Sequence, residues 1–332
     1  MQLMSTQNNN RGGIAVAGTV LVDTICEIAA YPACGELTQI RGIEKAVGGC
    51  VPNVAVDMRR MDPTLPVYAI GKLGNDSDGE LVLSTLSQNG VDCSGLRETA
   101  EERTSFTDVM SIAGGQRTFF TYAGASAEFG VSDIDFDSLK ADILHLGYFL
   151  LLQKVDNGDG LAILKEAKRR GIKTSIDLVS ENSDRYSLVL PCLPYTDYLI
   201  INEIEAGALA GMVPENRNLR AIAERLRELG VREKVIIHKR DCAICLSDEG
   251  FTSVGSLNVP ADYIQGSTGA GDAFCAASLI ALYEGASDKD VLEFASAAAA
   301  VSLGSADATG GLTTKKEIAA ISKDWERSPI VW

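Results

Sequence analysis

The sequence predicts an α/β fold: a three-layer sandwich on a mostly parallel central sheet, with a small β lid beside it. Three observations carry that expectation. Apolar β-rich runs alternate with helical patterns along most of the chain. The strand runs are nearly continuously apolar, as when both sheet faces are covered by helices. Two segments break the rhythm with strand-like alternation and no helix, which suits a flap outside the main sheet.

The elements follow in order. "GIAVAGTVLVDTI" opens the chain's first strand, and the first exception, residues 23–49, comes next. "LPVYAIGKLG" is a strand, followed by the helical "SDGELVLSTLSQNG". Residues 103–124 are the second exception, with a Gly-Gly turn at 114–115; with the first they are expected to form a small antiparallel flap. Then "ADILHLGYFLLL" precedes "GLAILKEAKRRG", and "IKTSIDL" leads to a break. "DYLIINEIEAGALAG" is a strand running into a helix, and "NLRAIAERLRELG" feeds the strand "KVIIHK". One domain over 11–332 is expected, with the lid at about 23–47 and 103–124 and a disordered tail at 1–10. In open α/β sheets ligands bind at the carboxyl ends of the strands, where such a lid would close.

Composition narrows the function. The chain has 332 residues, is 46% hydrophobic and carries a net charge of −15, which argues against nucleic acid or an anionic membrane as partner. No run approaches the ~20 apolar residues of a membrane helix, and the polar start lacks the apolar stretch of a signal peptide. A cytoplasmic location is expected. Eight cysteines are scattered through the chain and read as small buried hydrophobes rather than a disulfide framework. Cys242 and Cys245 have knuckle spacing, but there is no second pair and only two histidines, so "VIIHKRDCAICL" reads as strand, tight turn, strand.

Other motifs fail on their own residues. "GNDSDGE" has Gly74 and Thr85 where a calcium loop needs Asp and Glu. There is no Walker A sequence, no dinucleotide fingerprint after the first strand, and no nucleophile elbow. What remains is "GSTGAGDAF", residues 266–274, directly before the apolar "CAASLIALYEG". It is either a turn with an acid near a helix start or an anion cradle facing a catalytic base.

Five stretches in register decide between these. "AVGGCVPNVA", "GKLGNDSDGELV", "RTFFTYAGASAEF", "INEIEAGAL" and "STGAGDAFCAASLIALYEG" resemble, in order, the motifs of the PfkB or ribokinase-like carbohydrate kinases. The similarity runs from about Ile14 to Lys316. It implies a ribokinase-like fold and phosphoryl transfer from ATP, with Mg²⁺, to a hydroxyl of a small sugar. Such a transfer needs positioning and charge neutralisation above all. Backbone N–H groups of Gly269, Ala270 and Gly271 at a helix N-terminus can meet the phosphate. Asp272 then stands where a general base belongs, and the helix dipole is expected to keep it ionised.

The resemblance also implies that Asp23 binds substrate hydroxyls and that Gly48, Gly49 and Asn53 form the sugar-binding turn and helix start. Asn202 and Glu205 would hold Mg²⁺ and phosphates, mostly through water. Lys239, Ser267 and Ser296 fall on the nucleotide side. Ile40, Phe106, Met110 and Phe120 are candidates for acceptor choice. Three departures stand out: Gly266 replaces the family's acid at a monovalent-cation site, "HKRDCA" replaces a glycine turn, and Ser296 replaces a common Asn. Potassium activation is therefore not expected. A homodimer through the lid is expected. A nucleoside or vitamin-like alcohol kinase of the same fold, and a non-catalytic sugar-phosphate binder, stay open.

Overall fold

The computed structural model describes residues 12–112, 117–181 and 184–332; the tail at 1–10 and the Gly-Gly turn of the second flap segment lie outside them. In chain order the strands are β1 (Ile14–Gly18), β2 (Leu21–Ile28), β3 (Ile40–Gly48), β4 (Val67–Gly74), β5 (Asp92–Thr99), β6 (Ser105–Ser111), β7 (Arg117–Tyr122), β8 (Ile143–Phe149), β9 (Lys173–Leu178), β10 (Tyr198–Asn202), β11 (Lys234–His238), β12 (Cys242–Ser247) and β13 (Gly250–Gly255). The helices are α1 (Cys50–Met61), α2 (Ser77–Gln88), α3 (Gly124–Ala127), α4 (Gly160–Arg169), α5 (Glu203–Ala210), α6 (Leu219–Glu228), α7 (Ala270–Glu284), α8 (Asp288–Ser302) and α9 (Lys315–Ser322).

A nine-stranded sheet runs β13-β12-β11-β10-β9-β8-β1-β4-β5. It is parallel from β11 to β5, and β12 and β13 extend it antiparallel. Successive strand side chains face opposite ways, so β1 divides its apolar residues between two cores: Ile14 and Val16 to one, Ala15 and Ala17 to the other. Helices α1, α2, α7, α8 and α9 feed the first core, and α4, α5 and α6 the second. Helix α6 shows the pattern that makes this work, burying Leu219, Ile222, Ala223 and Leu226 at helical spacing with its polar face outward. Cys242 and Cys245 both lie in buried β12. The hairpin reading of that stretch holds.

The small sheet is ordered β3-β2-β6-β7. Each of its two ribbons is antiparallel, but β2 and β6 pair in parallel, so the expected all-antiparallel flap is corrected to a mixed sheet. The reason is that β2 continues from β1 and β6 follows β5, two parallel strands of the main sheet. Both leave from the same carboxyl edge.

Candidate active site

The site is built on the N-terminus of α7. Gly269 caps the helix with φ 80, and a side chain there would put its Cβ 2.2 Å from the Ala308 carbonyl oxygen. Only glycine fits both demands. The Ala270 N–H turns back toward the Ser267 carbonyl (3.4 Å). Gly271 is different: a Cβ there would meet only His238 Cε1, at 3.8 Å, so the space in front of it is open. The amides of Gly271 and Asp272 have no intrahelical acceptor, whereas that of Ala273 bonds the Gly269 carbonyl at 2.8 Å. Of the three cradle residues, Gly269 makes the bend and Gly271 presents the open backbone.

Asp272 is held from two directions. Its carboxylate accepts from Asn53 Nδ2 at 2.9 Å and from the Tyr148 hydroxyl at 3.0 and 3.1 Å. Asn53 arrives on α1, whose N-cap is Gly49 at φ 91. Tyr148 arrives at the end of β8 with φ 60, a conformation rare outside glycine, and Leu150 repeats it at φ 79. The strained backbone aims the phenol at the carboxylate. Burial, with the Tyr148 charge opposed by Asp272 and Asp177, keeps that phenol protonated and therefore a donor.

The expectation that the helix dipole keeps Asp272 ionised needs correction. Burial, reinforced by the charge of Asp177, pushes its pKa up to about 7 against the pull of Asn53 and Tyr148. Desolvation of a carboxylate outweighs a terminal dipole here. A carboxylate with that value changes protonation state near neutral pH.

Two cavities meet at this point. One, of ≈ 400 Å³, has Asp272, Gly269, Gly271, Asn202 and Glu205 on its wall. The other, of ≈ 350 Å³, has Lys239, Arg240, Ser267, Ala270 and Ser296, with apolar Leu257, Phe274 and Leu303. Gly271 and His238 line both. His238 stacks on Phe274 (centroids 4.7 Å apart), and burial lowers its pKa to about 4, so it is a neutral wall.

Asn202 and Glu205 form a capping box at the start of α5. The Asn202 side chain accepts from the amides of Ile204 and Glu205, and Glu205 Oε2 accepts from the Asn202 amide at 3.1 Å. Ser180 Oγ adds a bond of 2.9 Å to Oε1. Burial pushes Glu205 up to about 7. A buried carboxylate on a polar cavity wall fits a hard, partly hydrated dication such as Mg²⁺. Lys239 fits its expected role less well: its ammonium is drawn to Asn216 Oδ1 (2.5 Å) and Asp241 Oδ1 (3.1 Å). Arg240, on the same wall, is exposed and has no ion pair among the described residues.

On the small sheet, Asp23 lies over the α1 entrance, and a Cβ on Gly48 would fall 2.7 Å from its Oδ2. Burial pushes Asp23 up to about 6. Across the sheet Asp23 is flanked by Ala46 and Thr107, and Thr107 pairs in turn with Thr121, their hydroxyls 3.2 Å apart. Phe106, Met110 and Phe120 have the opposite parity and share the other face, while Ile40 sits at a register shift between Glu27 and Ile28. Thr107 and Thr121 therefore share the Asp23 face, and Phe106, Met110 and Phe120 lie opposite it, because register decides the face and the flap's sequence alone did not reveal it.

These features define a class: an α/β protein with an anion-ready helix start, a buried carboxylate beside it, and two cavities joined there. The chain belongs to the pfkB family of carbohydrate kinases, whose family model matches residues 13–315. It is a carbohydrate kinase. It is 26% identical over 313 residues to a ribokinase of Arabidopsis thaliana, covering 93% of this chain and 81% of that protein. A fructokinase-1 of Oryza sativa subsp. japonica is 25% identical, with 91% and 94% covered. Among solved structures, the Arabidopsis ribokinase complexed with ribose and ATP superposes with TM-score 0.82 at 24% identity, over 94% of this chain and 99% of that one. A nucleoside kinase of Methanocaldococcus jannaschii shares the fold at TM-score 0.75 and 17% identity, covering 93% and 97%.

Tyr148, Asp177 and His238 were not singled out from the sequence. Their one signal is position: each stands at the carboxyl end of a strand of the parallel run, where α/β sites are assembled.

Proposed function

We propose that the chain transfers the terminal phosphoryl group of ATP to a hydroxyl of a small sugar or sugar-like substrate, with Asp272 as general base. The observation that carries this is the junction: Gly271 stands on the wall of both cavities and Asp272 on the wall of one. The nucleotide occupies the cavity lined by Lys239, Arg240, Ser267 and Ser296, and its terminal phosphate reaches the α7 N-terminus. The acceptor lies on the other side, its hydroxyls bound by Asp23 and Asn53 above the Gly48-Gly49 turn. Its reacting oxygen forms a bond to phosphorus as the bond to the bridging oxygen of ATP breaks, and its proton passes to Asp272. Backbone amides of α7 stabilise charge on the transferring group. Mg²⁺, when bound near Glu205 and Asn202 through water, neutralises the phosphates.

The Thr107–Thr121 pair beside Asp23 supports a polyhydroxylated acceptor. Exposed Ile43 and Phe120, on the sheet's other face, support a homodimer through the lid. Turnover with ATP across a panel of sugars and nucleosides tests the reading: ADP release that depends on a sugar is expected, and none with any sugar would overturn it.

A further inference from the structure

We propose that His145, Asp177 and Cys275 form a binding site for a thiophilic divalent cation of the zinc class, directly behind the catalytic base. The three residues come from β8, β9 and α7, and all are buried. His145 Nε2 lies 3.4 Å from Asp177 Oδ2 and 3.6 Å from Cys275 Sγ, and the three ligand atoms all fall within 4.8 Å of one another. Zinc–sulfur, zinc–nitrogen and zinc–oxygen bonds of about 2.3, 2.0 and 2.1 Å, set at tetrahedral angles, give ligand separations of about 3.4 Å for N···O and 3.5 Å for S···N. The protein already holds those separations before any ion enters.

The surroundings orient the ligands. His145 Nδ1 lies 3.1 Å from Ser175 Oγ, which leaves Nε2 directed at the other two groups. Asp177 spends one oxygen on the Tyr148 amide (2.5 Å), leaving Oδ2 for the ion. Cys275 and Asp177 stand on the wall of the same ≈ 400 Å³ cavity as Asp272, so a water can complete the coordination and an ion has a way in. On binding, the Cys275 thiol loses its proton to solvent, and no oxidation is involved. The composition of the set, one thiolate, one imidazole and one carboxylate, separates this site from the oxygen-only wall near Glu205 and favours zinc over magnesium.

A consequence rests on the proposed kinase reading. A dication next to Asp177 and near Asp272 favours the ionised carboxylate, so bound zinc moves the acid limb of kcat/KM to lower pH, and magnesium in excess does not displace it.

The test begins with chelator-stripped full-length protein. Equilibrium dialysis against Zn²⁺ is expected to give one tightly held ion per chain, and titration with Co²⁺ a thiolate-to-cobalt charge-transfer band. Cys275→Ala should weaken Zn²⁺ binding by ~10-fold or more and abolish the band, as expected when a metal's own ligand is lost. Cys34→Ala, at an exposed cysteine, should change neither. If Cys275→Ala loses its circular-dichroism spectrum, Cys275→Ser serves in its place. Wild-type protein that retains no zinc, or a Cys275 variant that binds it unchanged, would overturn the site. These readouts need no turnover, so they stand apart from the kinase reading. In the activity arm, a zinc-induced shift of the acid limb to lower pH that vanishes in Cys275→Ala is expected, and a limb that zinc leaves in place would overturn this consequence.

Discussion

The two sides of the α7 N-terminus are built differently. Around Asp272 the polar groups are buried and bonded to one another: Asn53 and Tyr148 grip the carboxylate, and a strained backbone aims the phenol. In the cavity lined by Lys239, Ser267 and Ser296 the walls are largely apolar, and Lys239 is tied to Asn216 and Asp241 rather than left free. The first side holds one carboxylate in one place, as the proposed proton transfer requires. The second is a receptacle whose polar contacts are few. Damage to the first should therefore cost far more than damage to the second.

The largest effect should come from the base. Asp272→Asn keeps the shape and a hydrogen-bonding group but cannot take a proton, and we predict a kcat loss of ~10²-fold or more with substrate binding largely retained. Steady-state kinetics would show it, and a near-normal kcat would remove the contrast between the two sides. Next come the glycines. Gly271→Val should abolish most activity with the fold intact by circular dichroism, because the branched side chain enters open space at the cavity junction. Gly269→Ala should instead lower stability, since positive φ costs roughly 1–2 kcal/mol for a residue with a Cβ, before the collision with Ala308 is counted. Thermal melts separate the two. Equal effects of both on melting would show that neither glycine has the role given to it.

A smaller effect belongs to Tyr148. Tyr148→Phe removes a donor to the Asp272 carboxylate, which favours the protonated form, so the acid limb of kcat/KM should move to higher pH. A limb that stays put would show that the phenol does not touch the base in the working enzyme. On the nucleotide side, Lys239→Ala should raise KM for ATP less than about threefold, roughly 0.6 kcal/mol, because its charge is already engaged. A larger rise for Arg240→Ala would sharpen the picture of that cavity. The smallest effect concerns potassium: exchanging it for a bulky organic cation should alter kcat by less than about threefold. Gly266→Asp is a poor way to restore the family's acid, since a Cβ at 266 would lie 2.9 Å from the Ser305 carbonyl oxygen.

Much of this was legible in the residues. The parallel sheet followed from apolar strands such as "DYLIIN", and the cradle from glycine placed before an apolar helix. Asp272, Gly271, Asn202 and Glu205 do share one cavity, and Lys239, Ser267 and Ser296 share the other. What escaped notice depends on distance in three dimensions. Nothing in "HLGYFLLL" shows that Tyr148 adopts positive φ and reaches a residue on α7. The face of the flap that carries Asp23 depends on a parallel pairing between β2 and β6, which local alternation does not encode. The pKa of Asp272 depends on how completely later elements bury it and on the charge of Asp177, far away in the chain.

The pH dependence of kcat/KM reports most closely on the protonation of Asp272. A base whose pKa is raised to about 7 is protonated and idle below that value and ionised above it. The account predicts that kcat/KM falls with unit slope as pH drops through an apparent pKa near 7, and that this limb is absent from the residual activity of Asp272→Asn. A wild-type profile flat from pH 8 down to 5, or the same limb in the Asn variant, would contradict it.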